Sequence, residues 1–131
     1  MKLVTAAIII KDRKILIAQR AEDDKLALKW EFPGGKIEGG ETPEECLRRE
    51  INEELNLDIK VKGHFATSLY KYPMGEIKLM AYLAEITGGQ MELKVHNDVQ
   101  WVMKSEIDAF DFCPADVPIV EGIKKDPSIS C

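Results

Sequence analysis

The sequence predicts an α/β (α+β) layered domain, and three observations lead to this fold class. Apolar runs typical of strands open the chain, a capping signal precedes an acidic helix, and further strands and a second helix follow. This order of elements is typical of a sheet packed against helices. With 131 residues, of which 45% are hydrophobic, the chain can bury one core, so we expect a single domain over residues 1–131.

The strands are predicted from apolar runs that end at charged turns or at turns containing Gly and Pro. The first two runs flank a charged turn of four residues, which indicates a hairpin. A loop is predicted at residues 21–29, and Pro33-Gly34-Gly35 ends the short aromatic strand that follows it. The predicted strands are residues 3–10, 15–19, 30–32, 59–72, 76–87 and 99–103.

The first helix is predicted to begin at Pro43 and to end near Leu55. Thr42 and Glu45 have the spacing of a capping box, in which each side chain accepts a hydrogen bond from the backbone N–H of the other residue. Pro43 occupies the first helical position, where its missing N–H leaves no bond unmade.

The second helix is predicted near the end of the sequence. Asp116 and Pro118 open it, because Asp is favoured at an N-cap and Pro in the first turn. Its apolar positions are expected to pack on the sheet. These positions are Val117, Val120 and Ile123.

The cysteines and the lengths of the apolar runs exclude several classes of protein. Cys46, Cys113 and Cys131 are widely spaced and include no CxxC pair, which argues against a disulfide framework and against a zinc site. No apolar run approaches the roughly 18 residues of a membrane span. We therefore expect a cytoplasmic protein without a membrane partner.

The net charge of −5 is concentrated in one segment of the sequence. Residues 38–54 contain seven acidic and two basic side chains, so this segment alone has a net charge of −5 and the rest is neutral. The sequence has no basic stripe of the kind that binds polymeric nucleic acid. The acidic segment therefore indicates a functional site, and polymeric nucleic acid is not an expected partner.

Glu50, Glu53 and Glu54 are spaced at i, i+3 and i+4 of the predicted first helix, within an arc of about 100°. Like charges at this spacing repel each other, so a bound cation would stabilise the arrangement. Oxygen ligands favour Mg²⁺ or Mn²⁺. A solvated acidic helix face is the alternative interpretation. The preceding glycines favour a ligand site, since glycine lets the backbone approach a ligand closely; they are residues 34, 35, 39 and 40.

The acidic helix and the loop before it resemble the Nudix box, Gx5Ex7REUxEExGU, in which U is an aliphatic residue. Gly35, Glu41 and the run Arg49-Glu50-Ile51-Asn52-Glu53-Glu54-Leu55-Asn56-Leu57 fill eight of the nine defined positions. The exception is Asn56, where the family has Gly. This position follows the helix, where left-handed backbone is common, and Asn tolerates that conformation best after Gly, so we expect the fold to be preserved.

The resemblance extends from the first strand to about residue 123 and is closest to the MutT-like and CTP pyrophosphohydrolase-like branch. Residues 18–20, 30–36 and 114–118 are similar to segments of that branch. The resemblance implies a Nudix-type α/β/α sandwich, with a mixed β-sheet between helices. It also implies hydrolysis of a nucleoside triphosphate to the monophosphate and pyrophosphate, dependent on Mg²⁺, with Mn²⁺ as the alternative ion.

The same resemblance assigns roles to the residues of the acidic segment. Glu41 is expected to be a supporting carboxylate, and Glu53 is the candidate for the general base. Arg49 is expected to orient the carboxylates, with contact to phosphate as the alternative. The metal ligands that it implies are the Gly35 carbonyl and the side chains of Glu50, Glu53 and Glu54.

The expected substrate contacts lie outside the helix. Lys36 would contact the phosphates unless it is an ordinary solvated lysine, Phe32 would be a stacking surface, and Arg20 would lie near the nucleobase or sugar. Asp116 is expected on the base edge, with a plain helix N-cap as the alternative. An ionised carboxylate only accepts hydrogen bonds, so Asp116 would favour cytosine, adenine or guanine over uracil and thymine.

One departure from the family concerns an additional Glu that many relatives carry before the Trp corresponding to Trp101. This chain has Val95-His96-Asn97-Asp98 there. Either Asp98 or His96 substitutes for the missing Glu, or the helix glutamates suffice, in which case His96 is a partly exposed loop residue.

The expected substrates are CTP, dCTP, modified cytosine nucleotides or 8-oxo-dGTP. Another diphosphate compound, such as ADP-ribose or a dinucleoside polyphosphate, is the alternative, because the box contacts only the phosphates. A third hypothesis is a weakly catalytic nucleotide-binding module. The chain is expected to be a monomer or a homodimer.

Overall fold

The structure, a computed structural model, describes residues 1–129, so Cys131 lies outside the described residues. The strands are β1 (Lys2–Lys11), β2 (Lys14–Gln19), β3 (Trp30–Glu31), β4 (Gly34–Lys36), β5 (Leu57–Tyr72), β6 (Gly75–Gly89) and β7 (Asp98–Val102). The α-helices are α1 (Pro43–Leu55) and α2 (Val117–Lys125), and short 3-10 helices span Lys104–Ala109 and Pro114–Asp116. No helix within residues 1–129 is both long and apolar enough to span a membrane.

The strands form one mixed sheet with the path β3-β2-β1-β6-β5, in which β4 also pairs with β1 and β7 with β2. The predicted hairpin is confirmed at its turn, where Ile10 pairs with Ile15 and both Asp12 and Arg13 have positive φ. Over most of its length, however, β1 pairs with β6 in parallel and with β4 in antiparallel orientation. The sheet is therefore mixed, as expected.

The sheet buries both of its faces. Successive side chains of β1 point to opposite faces, so Ala6 and Ile8 enter one hydrophobic cluster while Ala7 and Ile9 enter the other. Helix α2 packs into the first cluster and α1 into the second, which confirms the expected α/β/α arrangement. The buried helix residues are Leu47, Ile51 and Leu55 from α1 and Ile119, Val120 and Ile123 from α2.

Helix α1 has the predicted bounds and the predicted caps. Thr42 Oγ1 accepts a hydrogen bond from the Glu45 N–H at 3.1 Å, and Glu45 Oε1 accepts from the Thr42 N–H at 2.9 Å. Asn56 ends the helix in the left-handed region, with φ of 58°. Its side-chain Nδ2 donates to the Gln90 carbonyl at 3.0 Å, which helps to hold this conformation. The fold therefore accommodates Asn where the family has Gly.

The packing predicted for the second helix is partly wrong. Val120 and Ile123 are buried, but Val117 is 43% exposed and Ile119 takes the third buried position. The reason is that α2 begins at Val117, after the 3-10 helix Pro114–Asp116, so this side chain belongs to the first turn and points away from the core.

Candidate functional site

A cavity of about 410 Å³ lies where β4, α1 and the loops around β3 meet. This volume is within the range of small-molecule sites. Its lining combines acidic side chains, basic side chains and glycine backbone. The polar and glycine residues on which its chemistry depends are Arg20, Glu31, Gly34, Gly35, Lys36, Glu50, Glu54, His96 and Asp116.

Arg49 binds the carboxylates at the outer side of α1. Its Nε and Nη2 donate to the two carboxylate oxygens of Glu41 at 2.6 and 2.9 Å. Its Nη1 donates to Glu50 at 2.8 Å and to Glu53 at 3.2 Å. The hydrogen bonds from Arg49, together with one from the backbone N–H of Glu38, lower the pKa of Glu41 to about 2. Every nitrogen of the guanidinium thus donates to a carboxylate, which favours the orienting role over contact with phosphate.

Gly35 provides the space that the Glu50 carboxylate occupies. A Cβ atom added to Gly35 would overlap the Glu50 side chain, so any other residue here would displace that carboxylate. The Gly35 carbonyl accepts a hydrogen bond from the buried Thr5 hydroxyl at 3.1 Å, and the Cys46 thiol lies 3.6 Å from the same oxygen. Sequence reasoning missed Thr5, because nothing distinguishes it within an apolar strand.

The three glutamates predicted on one helix face have different surroundings. Glu54 lines the cavity, and its Oε1 is buried without a hydrogen-bond partner. Burial, assisted by the negative charges of Glu50 and Glu31, raises the pKa of Glu54 to about 7, although His96 and Arg20 act in the opposite direction. Glu53 is 59% exposed, and the cavity lining does not include it.

His96 and Glu31 form a second polar pair in the cavity. His96 Nε2 lies 3.0 Å from Glu31 Oε2, and the imidazole is only 4% exposed. Its Nδ1 is buried and has no partner. Burial alone would lower the pKa of His96, but the hydrogen bond and charge of Glu31 and the charge of Glu54 outweigh it, so the pKa is raised.

The structure also separates the two candidates for the missing family Glu. Asp98 binds the N–H of the adjacent Val99 and the side chain of Gln100, and it does not line the cavity. His96 does line it: it is a loop residue of intermediate burial, as the alternative expected, but its side chain is only 4% exposed. Sequence reasoning missed Glu31, whose only local signal was its place in a short strand beside Phe32.

Arg20 lies at the Glu31 side of the cavity. It donates to Glu31 Oε1 at 2.7 Å and to both carboxylate oxygens of Asp24 at 2.8 Å. These two partners hold the guanidinium in place and keep it charged. Arg20 is thus already paired with Glu31 and Asp24, so a ligand that contacts its guanidinium would lie next to these two carboxylates.

Phe32 and Asp116 are linked to each other in the wall of the cavity. Phe32 is 2% exposed and belongs to the cavity lining, and its ring stacks on Phe112 at a centroid distance of 5.4 Å. Its backbone N–H donates to Asp116 Oδ2 at 3.0 Å. Burial raises the pKa of Asp116 well above its usual value, and the charge of Glu31 adds to this effect. Asp116 does occupy the N-cap position of α2, as the alternative predicted, but its side chain bonds to no helix N–H.

The donors around the acidic helix fit a hard divalent cation. Glu54 has a buried oxygen without a partner, Glu50 lies against Gly35, and the lining offers oxygen atoms of the kind such ions prefer. Within residues 1–129, no three acidic, histidine or cysteine side chains form a ready-made metal cluster. Mg²⁺ commonly takes one or two carboxylates and completes its shell with water and substrate phosphates, so the residues present are compatible with it.

Comparison with known proteins identifies one domain family and two relatives that match most of the chain. The model of the NUDIX domain matches residues 1–125. An 8-oxo-dGTP diphosphatase of Escherichia coli K12 is 36% identical over 126 residues, which cover 95% of this chain and 98% of the relative. A CTP pyrophosphohydrolase of the same organism is 36% identical over 120 residues, which cover 91% and 88%.

A solved structure shows the same similarity in three dimensions. The solution structure of the E. coli ORF135 protein superposes with a TM-score of 0.83 at 34% sequence identity. The superposition covers 93% of this chain and 87% of the other. The similarity therefore extends over most of the chain.

Proposed function

The chain belongs to the NUDIX family and is a Nudix hydrolase, and we propose that it hydrolyses a nucleoside triphosphate to the monophosphate and pyrophosphate. The proposed substrates are CTP, dCTP, a modified cytosine nucleotide or 8-oxo-dGTP. One observation carries the proposal: the carboxylates of Glu50 and Glu54 line the same cavity as two other polar residues, Arg20 and Asp116. The first pair suits a metal-bound phosphate chain, and the second suits a nucleobase.

A divalent cation is part of this proposal because of charge. A triphosphate with about four negative charges would be repelled by a segment of net charge −5. Mg²⁺ or Mn²⁺ would be held by Glu50, Glu54 and the Gly35 carbonyl, with Glu53 nearby. When bound, the ion neutralises phosphate charge and lowers the pKa of the attacking water.

Other residues of the chain have separate proposed roles in orienting the carboxylates, binding the phosphates and accepting the proton. Arg49 fixes Glu41 and Glu50, so that the Glu50 carboxylate is already oriented when the substrate arrives. Lys36 is exposed at the rim of the cavity, and its ammonium group is available to the phosphates. For the group that accepts the proton of the water we propose the second carboxylate oxygen of Glu54, Oε2, over the sequence candidate Glu53, because Glu54 lines the cavity and Glu53 is exposed outside it.

Asp116 is proposed to read the base edge. With Oδ2 bound to the Phe32 N–H, Oδ1 is free to accept a hydrogen bond when the group is ionised and to donate one when it is protonated. The raised pKa of Asp116 makes the protonated form accessible. We propose that Phe32 acts mainly by holding Asp116 in place through its backbone N–H, since its ring is covered by Phe112.

The function is tested by incubating the purified protein with a panel of nucleotides, with and without Mg²⁺. The panel contains CTP, dCTP, 5-methyl-dCTP, UTP, 8-oxo-dGTP, ADP-ribose and a diadenosine polyphosphate, and pyrophosphate and monophosphate are quantified. We expect metal-dependent pyrophosphate release from a cytosine or oxidised-guanine triphosphate. Cleavage of ADP-ribose or the dinucleoside polyphosphate alone would contradict the proposed substrate class, and tight binding without turnover would identify a binding module.

The role of Asp116 is tested with the same panel. Asp116→Ala removes the carboxyl group from the proposed base edge, so we expect the ratio of the rates for cytosine and uracil nucleotides to change by about tenfold or more. Unchanged relative rates, with a variant that still folds, would show that Asp116 does not read the base.

A further inference from the structure

The His96 imidazole is fixed at one ring nitrogen and free at the other. Its Nε2 lies 3.0 Å from Glu31 Oε2, and Arg20 holds the other Glu31 oxygen at 2.7 Å. The side chain is 4% exposed, yet Nδ1 has no hydrogen-bond partner among the described residues. Buried polar atoms are seldom left unpaired, so an unpaired one indicates a partner that binds there.

A carboxylate on one ring nitrogen is the usual environment of a histidine that binds a metal with the other. The carboxylate accepts the N–H, fixes the tautomer and increases the basicity of the free nitrogen. Glu31 is positioned to do this for His96, leaving the Nδ1 lone pair available.

A second unpartnered atom lies in the same cavity. Glu54 Oε1 is buried and accepts no hydrogen bond, and both Glu54 and His96 belong to the cavity lining. The two groups do not bind each other, because neither atom has a partner within residues 1–129. One nitrogen and one carboxylate oxygen, both buried and unpartnered, thus belong to two residues that line the same cavity, and Glu50 lines it as well.

We propose that His96 Nδ1 and Glu54 Oε1 bind the same divalent ion, so that this chain has a nitrogen ligand in its metal site. The inference rests on the proposed function, in which Glu54 holds the catalytic cation. Imidazole increases the affinity for later first-row ions such as Co²⁺ more than for Mg²⁺, which prefers oxygen. The site is therefore expected to select Co²⁺ over Mg²⁺ more strongly than one built from oxygen atoms alone.

The direct test is proton NMR of the protein loaded with Co²⁺ alone, without nucleotide. A histidine bound through Nδ1 keeps its Nε2–H, which should give a paramagnetically shifted resonance that disappears in D₂O. We expect this resonance in the unmodified protein and its loss in His96→Ala. His64→Ala is the matched control, since His64 is exposed on β5 and bonds to Thr67, and it should keep the resonance.

Metal affinities measured by titration calorimetry give a second readout. His96→Ala should weaken Co²⁺ binding by at least about tenfold and Mg²⁺ binding much less. His96→Glu restores a ligand with oxygen donors, so it should retain Mg²⁺ binding and lose the selectivity for Co²⁺. A thermal melt of each variant distinguishes these effects from a loss of folding.

The outcomes separate this inference from the function on which it rests. If Glu54→Gln weakens the binding of both ions while His96→Ala changes neither affinity and no shifted N–H resonance is present, the nitrogen ligand is refuted and the metal-dependent hydrolase stands. If Glu54→Gln and Glu50→Gln both leave metal binding unchanged, the metal site is wrong as a whole.

Discussion

The carboxylates on the two sides of the site are held in opposite ways. On the outer side, Glu41 and Glu50 are bound by Arg49, and the pKa of Glu41 falls to about 2. On the inner side, Glu54 is buried with an unpartnered oxygen, and its pKa rises to about 7. Carboxylates of one residue type, separated by 13 positions, thus have pKa values shifted in opposite directions by their surroundings.

The difference indicates which side is prepared for a ligand. The outer group has its hydrogen bonds satisfied by the protein, so it is a preorganised support. The inner side contains the unpaired atoms of Glu54 and His96. Such atoms destabilise the empty protein, and a ligand that pairs them recovers the lost interactions. We therefore expect substitutions on the inner side, and of Glu50, which also lines the cavity, to act mainly on binding and catalysis, and those of Glu41 and Arg49 to act through positioning.

The largest effect is expected from Glu54→Gln, which removes the proposed proton acceptor and metal ligand. We expect kcat for pyrophosphate release to fall by about 10³-fold. The free energy of unfolding should change little or increase, because a buried carboxylate without a partner is replaced by a neutral amide.

Glu53→Gln is the matched control, since Glu53 is one residue away and exposed. Its kcat should fall by less than about tenfold if the inner side carries the chemistry. A larger loss for Glu53→Gln than for Glu54→Gln would restore Glu53 as the general base and invalidate the comparison.

The local elements of the site could be predicted from the sequence. The bounds of α1, its capping box and the glycine before the acidic helix all depend on residues close together in the chain. The tolerance of Asn56 for the left-handed region was predicted in the same way, and the structure shows it with φ of 58°. Short-range stereochemistry determines each of these features.

The burial of individual side chains and the contacts between distant residues could not be predicted from the sequence. Helical periodicity places Glu50, Glu53 and Glu54 on one face, but it does not say which carboxylate the neighbouring loops cover. The pair of Glu31 and His96 joins residues 65 positions apart, through strands β3 and β7 that both pair with β2. Such contacts depend on sheet register, which no local motif encodes.

An intermediate effect is expected from Arg49→Ala, which releases the outer carboxylates. The residue positions Glu50 without belonging to the cavity lining, and the loss of such supporting contacts typically reduces activity by about 10–100-fold. Steady-state kinetics measure this. Arg49→Lys should recover only part of the rate, because an ammonium group cannot make the two parallel bonds to Glu41.

The same variant should change the pH dependence of stability. The folded-state pKa of Glu41 is lowered from 4.5 to about 2, so its stabilising contribution is present above pH 4.5 and is lost as the pH falls towards 2. Denaturant unfolding at a series of pH values should show a shallower decline over this interval in Arg49→Ala than in the unmodified protein. Parallel curves would show that Arg49 and Glu41 do not form this pair in solution.

The smallest effect on catalysis is expected from a substitution of Thr5, which lies beneath the outer side of the site. Its hydroxyl donates to the Gly35 carbonyl at 3.1 Å and lies 3.4 Å from the Cys46 thiol. Thr5→Val keeps the shape of the side chain but removes this side-chain hydrogen bond to the carbonyl. We expect the free energy of unfolding in urea to fall by about 1 kcal/mol.

Thr5→Ser is the control, because it retains the hydroxyl and should preserve the hydrogen bond. The comparison of the two sides requires that Thr5→Val affect stability more than chemistry, since the hydroxyl acts only through the Gly35 carbonyl and the pairing of β4 with β1 also holds that backbone. A fall in kcat approaching that of Glu54→Gln would contradict this expectation. The orientation of the Gly35 carbonyl, a proposed metal ligand, would then depend on this one hydrogen bond, and catalysis would be as sensitive to changes on the outer side as on the inner side.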